Sequence, residues 1–319
     1  MKNIVIALVM SMLLWGCQQA AQAPEDGPET IEAPSTSEKV IPKEFAAYWY
    51  NGLAELNSYE LDQVRYGDMH EGHAVLVFVT EDFSKSKQVK MDYPQGNSVD
   101  KVSVLKLNDS RKFLTGIYPY SIMRSVFTPV DLNKNPKTIK LSTSVQEWCG
   151  HVYNQFNLNK DSYDIKLHSY FQSEGDQEKK IPAVLLEDEI WTRLRINPES
   201  IPMGKVEVIP SNVASRLFHQ PVRPEKAVIS ISDAGGELEG KEVKNLTLAY
   251  SETRRKLEIY FEAAFPHQIL GWDEGQPSPV WAKNAPIKTS KARLKKSIRL
   301  DYWNRNGNSD RAMREDLGL

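Results

Sequence analysis

The chain has 319 residues, 40% of them hydrophobic, with 40 Lys and Arg against 42 Asp and Glu and a formal net charge of −2. This length and apolar content suit one large globular domain or two smaller ones. The slightly acidic balance argues against a nucleic-acid partner, which would favour a basic face. The two cysteines, Cys17 and Cys149, are too few for a disulfide framework.

The first residues of the chain have the pattern of an export signal. Lys2 supplies a positive start, and Ile4–Trp15 is apolar except for Ser11. This run is shorter than the roughly 20 residues that a membrane-spanning helix needs, but it suits the apolar core of a secretory signal. We therefore predict that residues 1–16 are a signal peptide.

The signal ends at Leu14-Trp15-Gly16-Cys17, which resembles the lipobox of bacterial lipoproteins. The resemblance implies that Cys17 carries a diacylglycerol thioether and a further acyl chain, such as palmitate, on its amine. Two or three chains hold a protein at a membrane far longer than one. Gln18 stands where lipoproteins of the inner membrane often have Asp, which favours the outer membrane of a Gram-negative bacterium, facing the periplasm. The alternatives are an ordinary signal with an incidental cysteine, or an uncleaved anchor.

Residues 17–39 are predicted to be the lipidated cysteine and a disordered tether. Residues 18–39 are rich in Pro, Glu, Gln, Ser and Thr, and Ile31 is their only large apolar residue. Such a segment cannot bury enough surface to offset its chain entropy. As a flexible coil it would span roughly 25 Å on average.

Residues 40–303 are predicted to form a β-rich envelope domain, because short runs of Val, Ile, Tyr and Phe recur between Gly, Pro, Asn and Asp. Trp148–Leu158 and Tyr163–Ser173 read as a long antiparallel hairpin. The other predicted strands are Ser58–Tyr66, Ala74–Thr80, Val102–Leu107, Lys137–Thr143, Ala227–Ser232, Asn245–Ser251, Lys256–Glu262, His267–Asp273 and Ser297–Trp303.

One segment, Glu187–Arg195, predicts a helix instead. Acidic residues begin it and basic residues end it, which complements a helix dipole. Ile190, Trp191 and Leu194 then share one face. A second helical stretch, Lys43–Leu56, is an alternative reading of those residues.

Because strands do not alternate with helices, a parallel α/β fold is not expected. We predict a mainly β fold, either an antiparallel β-sandwich or a half-open barrel, with one or two short helices. Several prolines leave open a subdivision near residues 200–225, and residues 304–319 read as a flexible polar tail.

Cys149 and His151 are candidate catalytic residues, because a thiol and an imidazole can form a nucleophile–base pair. Catalytic Cys and His residues are usually far apart in sequence, however. The alternative is that Cys149 is a small buried hydrophobic residue and His151 a satisfied neighbour.

His70 and His73 are candidate metal ligands, since zinc or copper can use closely spaced histidines. Metalloprotease pairs need a spacing of four on a helix, whereas these two are three apart around Gly72. A turn between two strands is the alternative.

A basic stretch runs from Ala282 to Arg299 without an acidic residue. It predicts either a patch that contacts anionic headgroups or a lysine-protected edge strand, and the second is the more ordinary explanation.

Four stretches carry a family resemblance: YELDQVRYGDMHEGHAVLVFVTEDF, RKFLTGIYPYSIMRSVFTPV, SVQEWCGH and LLEDEIWTRLRINP. They resemble a family of uncharacterised bacterial lipoproteins, and the resemblance extends through most of residues 45–275. Some members of this family carry the label "septum formation inhibitor Maf".

True Maf proteins are nucleotide pyrophosphatases whose amino-terminal motif runs roughly Leu-Ala-Ser-x-Ser-Pro-Arg-Arg. Leu248–Arg255 keeps the Leu-Ala and Arg-Arg of this motif but replaces both Ser and the Pro. It precedes a strand-like Lys256–Phe261 near the carboxyl end, where too little chain remains for a nucleotide site. The sequence therefore argues against pyrophosphatase activity in spite of the label.

The leading hypothesis is a membrane-anchored, non-enzymatic envelope lipoprotein that acts as a binding or assembly module without a cofactor. Its partners would be the membrane, through the lipid anchor, and an envelope protein or an apolar ligand, as in the curved-sheet lipoproteins that it loosely resembles. The alternatives are an envelope hydrolase that uses Cys149 and His151, and a metal carrier centred on His70 and His73.

Overall fold

The computed structural model describes residues 41–92, 98–238, 241–280, 282 and 284–319. Ile41–Leu319 form one compact unit, which includes residues 200–225. The predicted signal peptide, Cys17 and the tether lie outside the described residues. No helix in the described ranges is long and apolar enough to cross a membrane.

Sixteen strands of the described residues form one sheet. In chain order they are β1 (Ala54–Arg65), β2 (Asp68–Ser84), β3 (Val89–Lys90), β4 (Lys101–Thr115), β5 (Tyr118–Pro129), β6 (Lys140–Glu147), β7 (Gly150–Asn159), β8 (Ser162–Ser169), β9 (Gln177–Pro182), β10 (Leu185–Leu186), β11 (Gly204–Ile209), β12 (Glu225–Leu238), β13 (Lys241–Tyr250), β14 (Lys256–Glu262), β15 (Ile269–Pro277) and β16 (Ile287–Leu300). The α-helices are α1 (Lys43–Trp49), α2 (Glu187–Ile196), α3 (Asn212–Leu217) and α4 (Met313–Asp316). Short 3-10 turns lie at Pro198–Ser200, Tyr302–Asn304 and Asn308–Ala312.

The order of the strands places two consecutive strands of the chain at opposite edges of the sheet. It runs β10-β11-β12-β13-β14-β15-β16-β1-β2-β4-β5-β6-β7-β8-β9, with β3 beside β2. Neighbours are antiparallel, except that β10 and β11 are parallel. The two edge strands, β9 and β10, are separated in the chain only by Ala183 and Val184.

This short link decides the shape of the sheet. The strands on the path would span roughly 70 Å if the sheet were flat, at about 4.8 Å per strand. The link between the two edges reaches only roughly 10 Å. The sheet must therefore curl until its edges approach each other. The predicted mainly β fold is confirmed, and of its two forms the half-open barrel fits.

The alternating burial of the strands explains why this sequence forms a curved sheet. In β4, Leu105, Leu107 and Phe113 are buried in the main core, and the residues at the alternate positions between them are partly or fully exposed. Side chains of a strand point to opposite faces in turn, so these residues line the inside of the barrel. Branched and aromatic side chains suit such a half-buried surface.

Helices lie at both ends of the barrel and inside it. At the α1 end, where β1 begins, Thr80 Oγ1 donates to the carbonyl of Trp49 at 2.6 Å. At the α3 end, where β1 turns into β2, the guanidinium of Arg65 donates to the carbonyl of Leu217. Helix α2 lies inside and packs against β4 and β5. It confirms the helix predicted at Glu187–Arg195, but the structure buries nearly the whole of it and not only one face.

The prediction of a lysine-protected edge strand is wrong. The basic segment forms β16, which pairs with β15 on one side and β1 on the other. It can occupy an inner position because Ala292 is buried and Leu294 partly so, while Lys291, Lys295 and Lys296 are exposed. The lysines therefore cover the outer face of a central strand.

The predicted flexible tail is also folded. Residues 304–319 contain a 3-10 turn and helix α4, and Leu317 is buried. It packs in a small apolar cluster with Ala54, Leu56 and Val79. The tail therefore covers part of the sheet beside β1 and β2. The sequence pattern missed this contact because a single leucine in a polar segment gives no periodic signal.

Candidate functional site

Buried charged side chains form a closed circuit inside the barrel, which we call the ion-pair ring. Glu187 and Asp188, adjacent at the start of α2, are its two ends. From Glu187 the contacts run to Arg255 at 2.6 Å, Glu274 at 3.9 Å, Arg111 at 2.9 Å, Asp109 at 3.2 Å, Arg124 at 2.7 Å and Asp188 at 2.5 Å. All seven residues are at most 9% exposed.

The ring is structural in character. Burial alone would raise the pKa of Glu274, but the charges of Arg111 and Arg255 and a hydrogen bond from Arg111 hold it below its ordinary value. The guanidinium groups of Arg111 and Arg124 also lie over the rings of Trp272 and Trp191, each at 5.1 Å. Helix α2, tryptophans and ion pairs thus occupy the interior. The clefts that could hold a ligand lie nearer the surface.

The two acids of α2 also fix helix α3. The backbone N–H of Asn212 donates to Asp188 Oδ2 at 2.9 Å, and that of Ser211 donates to Glu187 Oε2 at 3.3 Å. The Ser211 hydroxyl caps the helix by accepting from Val213 N–H at 3.2 Å. The ring therefore holds α3 in the mouth of the barrel.

Two clefts flank α3. The first, of about 290 Å³, lies towards the turn that joins β13 to β14 and includes Phe218, Tyr250 and Arg255. The second, of about 230 Å³, lies between α3 and the inner faces of β6 to β9, and we call it the α3 cleft. Its walls are apolar and consist of Val145, Val152, Ile165, Leu167, Pro221 and Val222. Its polar lining includes Thr143, Asn154, Asn212, Ser215 and Arg216, with Glu174, Lys179 and His219 at the rim.

Unpartnered polar atoms distinguish the α3 cleft. Among the described residues, five of the side chains that line it have a buried nitrogen or oxygen without a hydrogen-bond partner in the protein. They are Thr143 Oγ1, Asn154 Oδ1, Asn212 Nδ2, Ser215 Oγ and Arg216 Nε. Leaving such a group unpaired costs about 1–3 kcal/mol, and most native buried polar groups are paired. A polar ligand in the cleft would supply the missing partners.

Asn154 and Asn212 form the centre of this polar lining. Asn154 Nδ2 donates to Asn212 Oδ1 at 3.4 Å. This leaves Asn154 Oδ1 as a free acceptor and Asn212 Nδ2 as a free donor within the described residues. Reversing both amide groups would again leave one donor and one acceptor. The pair is 8% and 2% exposed, and both residues line the cleft.

Charged groups line the outer part of the cleft. Arg216 lies with its guanidinium 4.5 Å from the Phe171 ring centre and 3.7 Å from Glu174. Glu174 Oε1 is also 2.6 Å from His219 Nδ1. Burial lowers the pKa of Arg216, although the charge of Glu174 opposes this effect. Lys179 donates to the Val222 carbonyl at 3.1 Å, which joins the β9 edge to the loop after α3.

The predicted catalytic pair does not have the features of an activated nucleophile. Cys149 is exposed in the turn between β6 and β7, and not buried as its alternative reading expected. A hydrogen bond with Glu147 raises the pKa of the Cys149 thiol, whereas nucleophilic cysteines need a lowered pKa. His151 is exposed at the start of β7, opposite Gln146 in the register.

The predicted metal ligands both lie in β2 and not in a turn. Their spacing of three places His70 and His73 on opposite faces of that strand. His70 Nε2 lies 3.1 Å from the Arg65 carbonyl, and burial together with Lys112 lowers the pKa of His73. No group of three or more His, Cys, Asp or Glu suited to a metal occurs in the described part of the chain.

The Maf-like residues lie in a β-hairpin. Leu248 and Ala249 belong to β13, and Arg255 follows the turn before β14. The Arg255 side chain is engaged by Glu187 in the ion-pair ring, which gives it a structural partner. Leu248 is buried in the core.

Comparisons with known proteins add little. No protein-family profile matches the sequence, and no curated protein is significantly similar to it. The chain has a weak structural similarity to a beta-barrel-like protein of domain of unknown function DUF1849 from Brucella abortus. The similarity covers 77% of this chain and 97% of that one, with 9% identity and a TM-score of 0.44.

The residues of the α3 cleft were not predicted from the sequence. One of them could have been found from the alternation of side chains along β7. Asn154 occupies an inward position between Val152 and Phe156, where an apolar residue is expected. Asn212 and Arg216 gave no comparable signal, because α3 has only six residues and its position depends on the ring. The sequence therefore predicts at most the β7 side of the cleft and not the α3 side.

Proposed function

We propose that this protein is an envelope lipoprotein, anchored through Cys17, that acts as a non-enzymatic binding module with its ligand site in the α3 cleft. The observation that carries the proposal is the set of five unpartnered polar atoms that line this cleft among the described residues. A polar ligand that binds there would supply the hydrogen bonds that these atoms do not make within the protein. The anchoring rests on the lipobox-like sequence at Cys17.

Two features favour binding over catalysis. The strongest candidate nucleophile, Cys149, lies outside the cleft lining and has a raised pKa. The buried acids with arginine partners belong to the ion-pair ring, where each charge already has an opposite charge beside it. The cleft itself offers hydrogen-bond donors and acceptors in an apolar surround, which is the usual composition of a small-molecule site.

The binding site is tested by filling it. We expect Val222→Trp, which places an indole at the cleft wall, to abolish binding of small fragments detected by saturation-transfer NMR. The fragment set contains carboxylates, amides, sugars and short fatty acids. Val228→Trp is the matched control, because Val228 is 41% exposed on β12 and does not line the cleft. Circular dichroism verifies that both variants fold. The proposal fails if no fragment binds, or if Val222→Trp binds as the natural protein does.

The anchor is tested separately. Cys17→Ser should move the protein from the membrane fraction to the soluble fraction and abolish incorporation of labelled palmitate. Cys149→Ser is the matched control and should leave both unchanged. Unaltered membrane partitioning of Cys17→Ser would contradict the anchor and leave the binding site untouched.

A further inference from the structure

We propose, building on the binding function above, that the α3 cleft recognises a small peptide-type ligand, in which the N–H and C=O of one residue pair with Asn154 and Asn212 and a carboxylate pairs with Arg216. N-acylated dipeptides and the carboxyl ends of very short peptides have this chemistry. Three observations on the cleft carry the inference.

The first observation is the paired asparagines. The free acceptor on Asn154 and the free donor on Asn212 lie beside the contact that joins the two side chains. An extended amino-acid residue presents its N–H and C=O on the same side, as in the doubly bonded pairs of antiparallel strands. Such a residue can give one hydrogen bond to Asn154 and accept one from Asn212. An apolar chain matches neither atom.

The second observation is the charge of the lining. Its titratable groups are Glu174, Lys179, Arg216 and His219. Lys179 and Arg216 are two cations against one acid, Glu174, without counting His219. Arg216 Nε has no hydrogen-bond partner among the described residues, although the residue is only 9% exposed. A planar guanidinium pairs with a carboxylate through two parallel hydrogen bonds, so Arg216 is suited to bind a ligand carboxylate.

The third observation is size. The cleft measures about 230 Å³, below the roughly 300–1,000 Å³ of pockets that hold drug-sized molecules. Its walls are aliphatic, with Val145, Val152 and Ile165 buried beside the polar floor. One or two residues with small aliphatic side chains therefore fit, and a long chain does not. An inorganic anion would satisfy Arg216 but leave the asparagine pair unused.

The test uses the purified full-length protein in detergent and N-acetylalanylalanine as the probe. We expect binding with a Kd of about 1 mM or tighter by calorimetry, which is reasonable for so small a ligand. The methyl ester of the probe, which lacks the carboxylate, should bind at least about tenfold more weakly. The analogue with an ester oxygen in place of the first amide N–H, which belongs to the residue before the carboxyl-terminal alanine, should lose a similar factor. Acetate alone should show no binding at the same concentrations.

Variants of the lining locate the contacts. Arg216→Met should remove the difference between the acid and its methyl ester, and Asn154→Leu should remove the difference between the amide and the ester-oxygen analogue. Asn245→Leu is the matched control, because Asn245 also has an unpartnered amide oxygen in the described structure but lies on β13, outside the cleft. These difference readouts would not follow from a general loss of folding.

The possible failures are distinct. If other fragments bind in a way that Val222→Trp abolishes, but N-acetylalanylalanine does not, the peptide-type ligand is wrong and the binding function stands. If the ester and the acid bind equally, the role of Arg216 is wrong. If neither the probe nor any other fragment binds, both proposals fall.

Discussion

Arg255 donates two hydrogen bonds to Glu187, and through them the turn between β13 and β14 is tied to the first residue of the internal helix α2. Glu187 also accepts from the hydroxyl of Tyr250 at 2.6 Å and from the backbone of Ser211. One carboxylate thus connects a strand, a turn, the central helix and the start of α3. The α3 cleft depends on this connection for its shape.

Removing that carboxylate charge should be costly. Glu187→Gln leaves Arg255 buried with only the more distant Glu274, and breaking a buried ion pair typically destabilises by about 3–5 kcal/mol. Urea unfolding at pH 7 measures the loss. Glu258→Gln is the control, because its partner Lys256 is 49% exposed and such a pair contributes at most about 1 kcal/mol. Equal effects of the two substitutions would show that the ring adds no stability.

Stability should fall as the solution becomes acidic. Burial alone would raise the pKa of Glu55, but the charge and hydrogen bonds of Arg195, with hydrogen bonds from Tyr48 and Asn57, hold it below the ordinary value. A carboxylate whose pKa is lower in the folded state adds stability above its unfolded pKa of about 4.3 and loses it as the pH falls towards the folded pKa.

The measurement is the urea midpoint between pH 7 and pH 3. His267, whose pKa burial lowers, contributes an earlier loss that begins near pH 6.5. The loss below about pH 5 should be shallower in Glu55→Gln than in the natural protein, because the substituted side chain no longer titrates. An unchanged slope in this variant would refute the assignment.

The thiol of Cys149 should react slowly with alkylating reagents. Its contact with Glu147 raises the pKa of the thiol, so little thiolate is present near neutral pH. We expect Glu147→Gln to increase the rate of iodoacetamide labelling at pH 7.5, as followed by peptide mass spectrometry. Glu60→Gln, on β1, should leave the rate unchanged. Labelling of the natural protein faster than that of free cysteine would instead support an activated nucleophile.

The folded carboxyl-terminal tail should contribute to stability. Leu317→Ala removes a buried side chain from its cluster with Ala54, Leu56 and Val79, and should cost about 2 kcal/mol. Leu114→Ala is the control, since Leu114 is 59% exposed. Thermal unfolding of the two variants gives the comparison. If Leu317→Ala is as stable as the control, the tail is not packed in solution.

Local patterns predicted the strands and the central helix well, because these depend on neighbours in the sequence. A short apolar run predicted Val102–Leu107, which lies within β4, and the acidic start and basic end of Glu187–Arg195 predicted α2. The same patterns missed β5, in which Tyr120, Arg124 and Thr128 occupy inward positions. A strand whose buried face is partly polar does not show the expected alternation of hydropathy.

The ion-pair ring shows why the site could not be predicted. Asp109 and Arg111 point to the same face of β4 as Leu107 and Phe113, so their burial follows from the alternation of side chains along the strand. Their partner Glu274, however, is 163 residues from Arg111 in the chain. Asn154 and Asn212 are likewise 58 residues apart. Such contacts follow from the closure of the whole sheet, which no local pattern specifies.

The link at Ala183 and Val184 has a consequence for connectivity. From β11 the sheet continues to β16, passes to β1 and ends at β9. Apart from the parallel pair of β10 and β11, it is an up-and-down meander whose two edges meet in the middle of the chain. A circular permutant that begins at Leu185, with the strand ends of β16 and β1 joined by a linker, would place nearly all paired strands next to each other in sequence. Its contact order would be lower than that of the natural chain, and it should therefore fold faster.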